Sequence, residues 1–237
     1  MKILISGAGG YLGQYLTKEL LKDGHKVEAV YNNKHNTIAI NNDNLNYNEH
    51  FIDLTNEIDL IKYEKLINST SIDVYICAHA KQPNYAYSLD WTTKQIYDVF
   101  NVNIISIINS INLMLKTFVR KKNGQLIFIS SNTVTWGGGD NNKFYYLSKK
   151  TIEDYLLSLI YKMSFSNIKI NIVRLGLLEG GASSNVNGFD LEKYKKRINK
   201  IPNNKPVSLE DVKIAINYLL NNKLNLTGQI VRLANGE

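Results

Sequence analysis

The chain has 237 residues, of which 44% are hydrophobic and 21% charged, with a formal net charge of +7. That balance can bury a sizeable core and excludes disorder over the whole length. One cysteine, Cys77, excludes a disulfide scaffold and a multi-cysteine zinc site. The longest apolar stretches, such as Leu126 to Ile129, fall far short of the roughly 20 residues of a spanning helix, which excludes a membrane-spanning protein. The N-terminus shows no signal-peptide pattern. A cytoplasmic protein with no membrane partner is expected. Basic residues cluster only at Lys193 to Lys200 and Arg120 to Lys122, and no aromatic-plus-basic nucleic-acid motif appears, so no nucleic-acid partner is expected either.

Lys2 to Ser6 is a short apolar run ending at glycines, as in a buried parallel strand. Tyr11 to Asp23 carries Leu12, Tyr15, Leu16, Leu20 and Leu21 at helical spacing and stops at Gly24. Val27 to Tyr31 reads as a second strand, and residues 32–50 as a polar loop with a short helix. His50 to Leu54 reads as a third strand, Glu57 to Asn68 as a helix, and Asp73 to Ala78 as a fourth strand. Trp91 to Lys122 contains a long helix rich in isoleucine. Gln125 to Ser130, Ile168 to Arg174 and Gly228 to Leu233 read as strands, Tyr145 to Ser164 and Leu209 to Asn221 as helices. Strands alternating with helices predict an α/β fold: a doubly wound, mostly parallel sheet of about seven strands in three layers. Residues 1–237 read as one domain. Within it, 178–208 is an irregular insertion suited to a substrate lid, polar at Ser183, Ser184, Asn185 and Asn187.

Between the first strand and first helix runs Ser6-Gly7-Ala8-Gly9-Gly10-Tyr11-Leu12-Gly13. Gly7 permits a tight turn, Gly10 lets a pyrophosphate approach the backbone, and Gly13 allows close helix–strand packing. The helix N-terminus, at Tyr11 and Leu12, offers amides and a positive dipole end to phosphates. A nicotinamide dinucleotide is the expected cofactor. The second strand ends Ala29-Val30-Tyr31-Asn32-Asn33-Lys34, with no carboxylate to take a ribose 2′-hydroxyl. Lys34 supplies charge and Asn32 or Asn33 hydrogen bonds to a 2′-phosphate, which favours NADP(H) over NAD(H). Asp53 and Leu54 fall beside the adenine, where Asp53 accepts from the amino group or caps the next helix.

Two further stretches carry chemistry. Leu126 to Ser131 ends a strand in two serines, and Tyr145-Tyr146-Leu147-Ser148-Lys149 follows fourteen residues after Ser131. A lysine at i+4 lies on the same helix face as the tyrosine. Its charge favours tyrosinate and lowers a pKa that is ordinarily near 10. With these motifs the sequence resembles the short-chain dehydrogenase/reductase family over essentially its whole length, in its shorter, single-domain branch. The resemblance implies a Rossmann fold and hydride exchange between nicotinamide and a carbonyl or alcohol. It makes Tyr145 the acid/base, gives Lys149 a second role on the nicotinamide ribose, and has Ser131 orient the substrate oxygen. It matches Asn103 to the family's helix asparagine, which supports a relay water. It assigns Ala78, His79, Ala80, Gly176 and Leu178 to the cofactor cleft. It also implies a homodimer or homotetramer through the helices near 97–120 and 149–164.

The sequence departs from the family in places. The glycine spacing is that of the extended branch. Strand four reads Cys77-Ala78-His79-Ala80 instead of Asn-Asn-Ala-Gly, and Leu175-Gly176 stands for Pro-Gly. Tyr146 with Lys150 is a second possible register, and Ser130 a second candidate serine. His79 reads as a polar group packed near the cofactor rather than a metal ligand; no metal is expected. Trp136, Tyr85 and Tyr87 are candidates for the substrate pocket or for loop packing. A nucleotide-sugar epimerase or dehydratase and a non-catalytic dinucleotide sensor are the alternative functions.

Overall fold

The computed structural model describes residues 1–34, 37–38, 40, 45–82, 88–181, 191–221 and 223–237. Its strands are β1 (Lys2–Ser6), β2 (Lys26–Tyr31), β3 (Tyr47–Phe51), β4 (Val74–Cys77), β5 (Gly124–Ser131), β6 (Ile168–Leu175) and β7 (Ile230–Leu233). They form one 7-stranded sheet in the order β3-β2-β1-β4-β5-β6-β7. Every pairing in it is parallel. The helices are α1 (Tyr11–Lys22), α2 (Glu57–Ser69), α3 (Thr93–Phe100), α4 (Ser106–Lys121), α5 (Thr133–Trp136), α6 (Lys143–Ser164), α7 (Leu191–Ile198) and α8 (Leu209–Leu220).

Because side chains alternate along a strand, the inner strands feed two cores at once. Ile3, Ile5, Val27, Ala29, Ile127 and Ile129 pack with Leu16 and Leu20 of α1 and Val212, Ile216 and Leu219 of α8. Leu4, Val30, Tyr75, Leu126, Phe128 and Ile170 pack with Tyr63 of α2, Ile107, Ile111 and Phe118 of α4, and Ile152 and Leu156 of α6. This is the doubly wound, three-layered sheet that the alternation of elements predicts. Burial of each such aliphatic side chain contributes about 1.5–3 kcal/mol, so both layers are firmly held beneath the carboxyl ends of the strands.

Three elements differ from the sequence reading. The third strand is Tyr47–Phe51, three residues earlier than His50 to Leu54. It is the edge strand beside β2, so its outer residues Asn48 and Glu49 stay exposed. The apolar Ile52 and Leu54, which suggested a strand, lie beyond its end. The long helix is interrupted by a π-helical turn at Asn101–Ile105, between α3 and α4. The stretch 178–208 also has structure of its own. Leu178 pairs with Val207 in a parallel bridge, and α7 lies between. Residues 182–190, including Ser183, Ser184, Asn185 and Asn187, lie outside the described residues.

The helical run Thr93–Lys121 is 29 residues long and apolar enough to cross a membrane by length and composition alone. The expectation that every apolar stretch falls far short of a spanning helix therefore does not hold for this run by length and composition. Ile107, Ile111, Met114 and Phe118 of this run are fully buried against the sheet. Their spacing is the apolar stripe of a core helix.

Candidate active site

The order of the sheet reverses between β1 and β4, the place where an open α/β sheet forms its ligand crevice. A cleft opens there in two lobes that share Gly7, Gly10, Ala78 and Ala80. One lobe is lined by Tyr11, Leu12, Gly13, Ser131, Tyr145, Lys149, Gly176 and Leu178. The other is lined by Asn32, Asp53, Leu54 and His79. Residues expected from four separate stretches of sequence thus meet around one crevice. Asn33, Lys34 and Asn103 do not line it among the described residues.

The glycine turn is fixed by backbone crowding. Gly7 has φ +78°, and a Cβ on it would lie 2.6 Å from the amide nitrogen of His79. A Cβ on Gly13 would lie 2.1 Å from the carbonyl oxygen of Gly7, so only glycine lets α1 approach β1 this closely. A Cβ on Gly10 would approach Gly7 O only to 3.3 Å. The protein itself crowds this position less, as expected where a ligand is the intended neighbour. Gly10 is also the N-cap of α1, and no side chain caps the first turn. Its amides are therefore available to an anion.

Helix α6 presents Tyr145 and Lys149 one turn apart, with 9% and 2% of their surfaces exposed. Lys149 Nζ donates to the carbonyl oxygen of Ile129 at 2.9 Å. It lies 4.7 Å from the Phe128 ring centroid and 5.8 Å from that of Tyr145. Burial pushes its pKa down to about 8, an effect that Cys77 and Glu153 partly oppose. Glu153, one turn further along, is itself buried and clasped by Arg174 through Nε and Nη2, the shortest contact being 2.6 Å. This pair ties α6 to β6 beneath the site.

Ser131 is the last residue of β5. Its Oγ accepts from Thr133 N at 3.3 Å and from Thr133 Oγ1 at 3.1 Å. Its own hydroxyl proton has no acceptor among the described residues. The preceding Ser130 also lines this lobe, and its buried Oγ has no hydrogen-bond partner there. An unpartnered buried hydroxyl is costly, so Ser130 is poised toward something that enters the cleft, while Ser131 keeps a free donor there.

Asn103 sits in the π-helical turn, fully buried. Its Oδ1 accepts from Lys81 N at 2.7 Å, and its Nδ2 donates to Lys81 O at 2.9 Å and Ser148 Oγ at 3.3 Å. The side chain therefore pins the segment after β4 to α6. His79 shares hydrogen bonds with Ser6 Oγ at 2.7 Å and Ser106 Oγ at 3.1 Å. Burial and the nearby Lys149 charge push its pKa down to about 3. It is a neutral connector between β1, β4 and α4, as the sequence reading expects of a packed polar group. No group of metal-ligating side chains occurs among the described residues.

Asp53 is not the cap of α2. Asn56 caps that helix, accepting from Ile58 N and Asp59 N. Asp53 Oδ1 instead accepts from Thr55 N and Oγ1 at 2.9 and 2.7 Å. Lys34 is exposed, with Nζ 5.5 Å from the Phe51 ring centroid. Trp136 is exposed and outside the lining; Tyr85 and Tyr87 lie outside the described residues. The sequence reading missed Gln82, Thr133, Asn142 and Arg197, all of which line the Tyr145 lobe. Only Arg197 gave any signal, as part of a basic run.

Residues 12–236 match the family described as enoyl-(acyl carrier protein) reductase. The chain belongs to the short-chain dehydrogenase/reductase family. It is an oxidoreductase of that family, acting on CH–OH or C=O groups. The 3-oxoacyl-(acyl-carrier-protein) reductase FabG of Buchnera aphidicola is 26% identical over 238 residues, covering 98% of this chain and 95% of the relative. Among solved structures, ElxO with NADP bound superposes with a TM-score of 0.85 at 19% identity, covering 99% of this chain and 97% of that one. NAD+-bound xylitol dehydrogenase superposes with a TM-score of 0.83 at 17% identity, covering 99% and 98%.

The short-chain dehydrogenase/reductase family binds nicotinamide dinucleotides, and the residues present fit such a cofactor. The glycine turn excludes side chains where a pyrophosphate needs backbone, α1 lacks a side-chain cap, and Ser130 Oγ lacks a partner.

Proposed function

We propose that this short-chain dehydrogenase/reductase is an NADP(H)-dependent carbonyl reductase with Tyr145 as its acid/base. The observation that carries this reading is that Ser131, Tyr145 and Lys149 line one lobe together with the glycine turn. Gly7, Gly10, Tyr11, Leu12 and Gly13 hold the cofactor's pyrophosphate, and Asp53 and Leu54 flank its adenine. Ala78, Ala80, Gly176 and Leu178 line the nicotinamide half, and His79 lines the lobe of the adenine half. Bound there, the nicotinamide supplies the hydride for the substrate carbon.

The chain's own residues manage the oxygen. Ser131 donates its spare hydroxyl proton to the carbonyl oxygen and orients it. Tyr145 transfers a proton to that oxygen as charge builds on it. Lys149, charged below about pH 8, stabilises the phenolate left behind and holds the nicotinamide ribose. Asn103 supports this arrangement by fixing the backbone of Lys81 and, in the family's manner, a relay water.

The preference for NADP(H) rests on the tip of β2, where no carboxylate stands and Asn32 lines the cleft. Asn33 and Lys34 complete the 2′-phosphate site, with Lys34 reaching from the exposed rim. We propose one domain, in which the stretch 178–208 covers the substrate. We further propose a cytoplasmic homo-oligomer, assembled through α4 and α6, where Leu157, Tyr161 and Phe165 are exposed. Fluorescence titration of NADPH and NADH into wild type and Lys34→Ala tests the cofactor assignment. NADPH should bind at least tenfold more tightly than NADH, and the substitution should erase most of that difference. A preference for NADH would overturn the choice of cofactor. Binding of neither would overturn the oxidoreductase reading and favour a protein without dinucleotide chemistry.

A further inference from the structure

Among the described residues that line the Tyr145 lobe, only Lys149 and Arg197 carry a full charge, and none is acidic. Lys149 is engaged: it is buried and bonded to Ile129 O. Arg197, in the last turn of α7, is not. Among the described residues its guanidinium makes no hydrogen bond. It has one ion pair, to Glu237 Oε1 at 3.8 Å, with 32% of the side chain exposed. That distance is beyond hydrogen-bond reach, so five N–H donors of a permanently charged group meet a catalytic cleft without a close acceptor.

Glu237 is a poor match from its own side as well. It does not line the lobe, and its buried Oε2 has no hydrogen-bond partner. Its position does, however, locate Arg197. Asn132, next to Ser131, donates to Glu237 O at 3.2 Å, and a Cβ on Gly176 would lie 2.9 Å from Glu237 Oε2. Ser131 and Leu175 are register partners at the ends of β5 and β6. Arg197 is therefore held at the Ser131 end of the lobe, by the strands that present the substrate-orienting hydroxyl. Lys195 and Lys196 share the last turn of α7 with it and raise the local positive potential.

We infer that Arg197 is a specificity-determining residue, and that the carbonyl substrate carries an anionic group, a carboxylate or phosphate, which Arg197 takes. A planar guanidinium binds either anion through two parallel N–H donors. The inference rests on the proposed reductase function, because it concerns the substrate half of that cleft. The other source of an anion there is the pyrophosphate of the cofactor, and the two sources are separable by experiment.

The test is calorimetric titration of inorganic phosphate into enzyme saturated with NADP+, so that the cofactor's own phosphate sites are filled. Wild type should bind phosphate, Arg197→Gln should bind it at least tenfold more weakly, and Arg197→Lys should be intermediate. Glu237→Gln, which removes the competing carboxylate, should tighten binding. A Lys195→Gln/Lys196→Gln double variant should stay within about twofold of wild type, since those lysines only contribute background field. NADPH affinity, read by fluorescence, should be unchanged in Arg197→Gln. Equal phosphate binding by wild type and Arg197→Gln would overturn the inference. So would phosphate binding that NADP+ abolishes, combined with weakened NADPH binding in Arg197→Gln, because Arg197 would then serve the cofactor. A wild type that binds neither NADPH nor NADH would overturn the reductase reading itself, a result distinct from either.

Discussion

Replacing Lys149 by methionine should stabilise the fold while abolishing turnover. The ammonium group titrates at about 8 instead of its ordinary 10.5, chiefly because it is buried. At about 1.4 kcal/mol per pH unit, holding it charged in the folded protein at neutral pH costs about 3 kcal/mol. Methionine fills a similar volume without charge. It forfeits the bond to Ile129 O and the ring contact with Phe128, each worth about 1 kcal/mol. The net gain at pH 7 is then about 1 kcal/mol, or a rise in Tm of about 2–4 °C for a chain of this length. The pH dependence is the sharper readout. Between about pH 8 and 10.5 the unfolded chain holds the lysine proton more tightly than the folded one, so wild-type stability gains up to about 3 kcal/mol as pH rises through that window. Lys149→Met lacks this gain. Urea unfolding of both proteins from pH 7 to 10.5 measures it as a difference, in which all other titrating groups cancel. A stability difference that stays flat with pH would refute the claim that burial sets the state of Lys149.

Gly13→Ala should lower stability by about 1–3 kcal/mol and abolish NADPH binding, because the new methyl collides with Gly7 O and Ala8 Cα and must displace α1; unchanged fluorescence titration would contradict the packing argument. His79→Ala should cost about 1–3 kcal/mol by removing the buried imidazole and one hydrogen bond from each of Ser6 and Ser106, which keep Tyr75 OH and Val102 O, seen as a lower urea midpoint at pH 7. Because the folded imidazole titrates far below its ordinary 6.5, wild-type stability should fall as pH drops below 6.5, and His79→Ala should lose less over the same range.

Much of this architecture is legible in the sequence because its signals are local. The glycine spacing, the strand–turn–helix order around it and the i,i+4 pairing of Tyr145 with Lys149 each depend on neighbours within a dozen residues. The two cores are equally legible: buried parallel strands read as continuous apolar runs. Failures arise where tertiary context decides. Edge strand β3 carries Asn48 and Glu49 outward and so lacks the apolar run that marks its inner neighbours. Ile52 and Leu54 supply a false strand signal because they line the cleft beyond its end. The π-helical turn at Asn101–Ile105 carries Asn103, which reaches across to Lys81, a contact between distant segments that no periodicity reveals. Asp53 takes Thr55 while Asn56, three residues on, caps α2; both are good capping residues, and only the path of the backbone chooses between them. Arg197 looks like one solvated charge in a basic run until the chain folds it onto the wall of the lobe.

The central claim is that Tyr145 is the acid/base of a dinucleotide-dependent carbonyl reduction. Its most direct test is Tyr145→Phe, compared with wild type for NADPH binding by fluorescence and for NADPH oxidation with any carbonyl compound that wild type reduces. The account predicts that kcat/KM falls by about 10²–10⁴ while NADPH still binds. Turnover at the wild-type rate in Tyr145→Phe, with the cofactor bound, would contradict it.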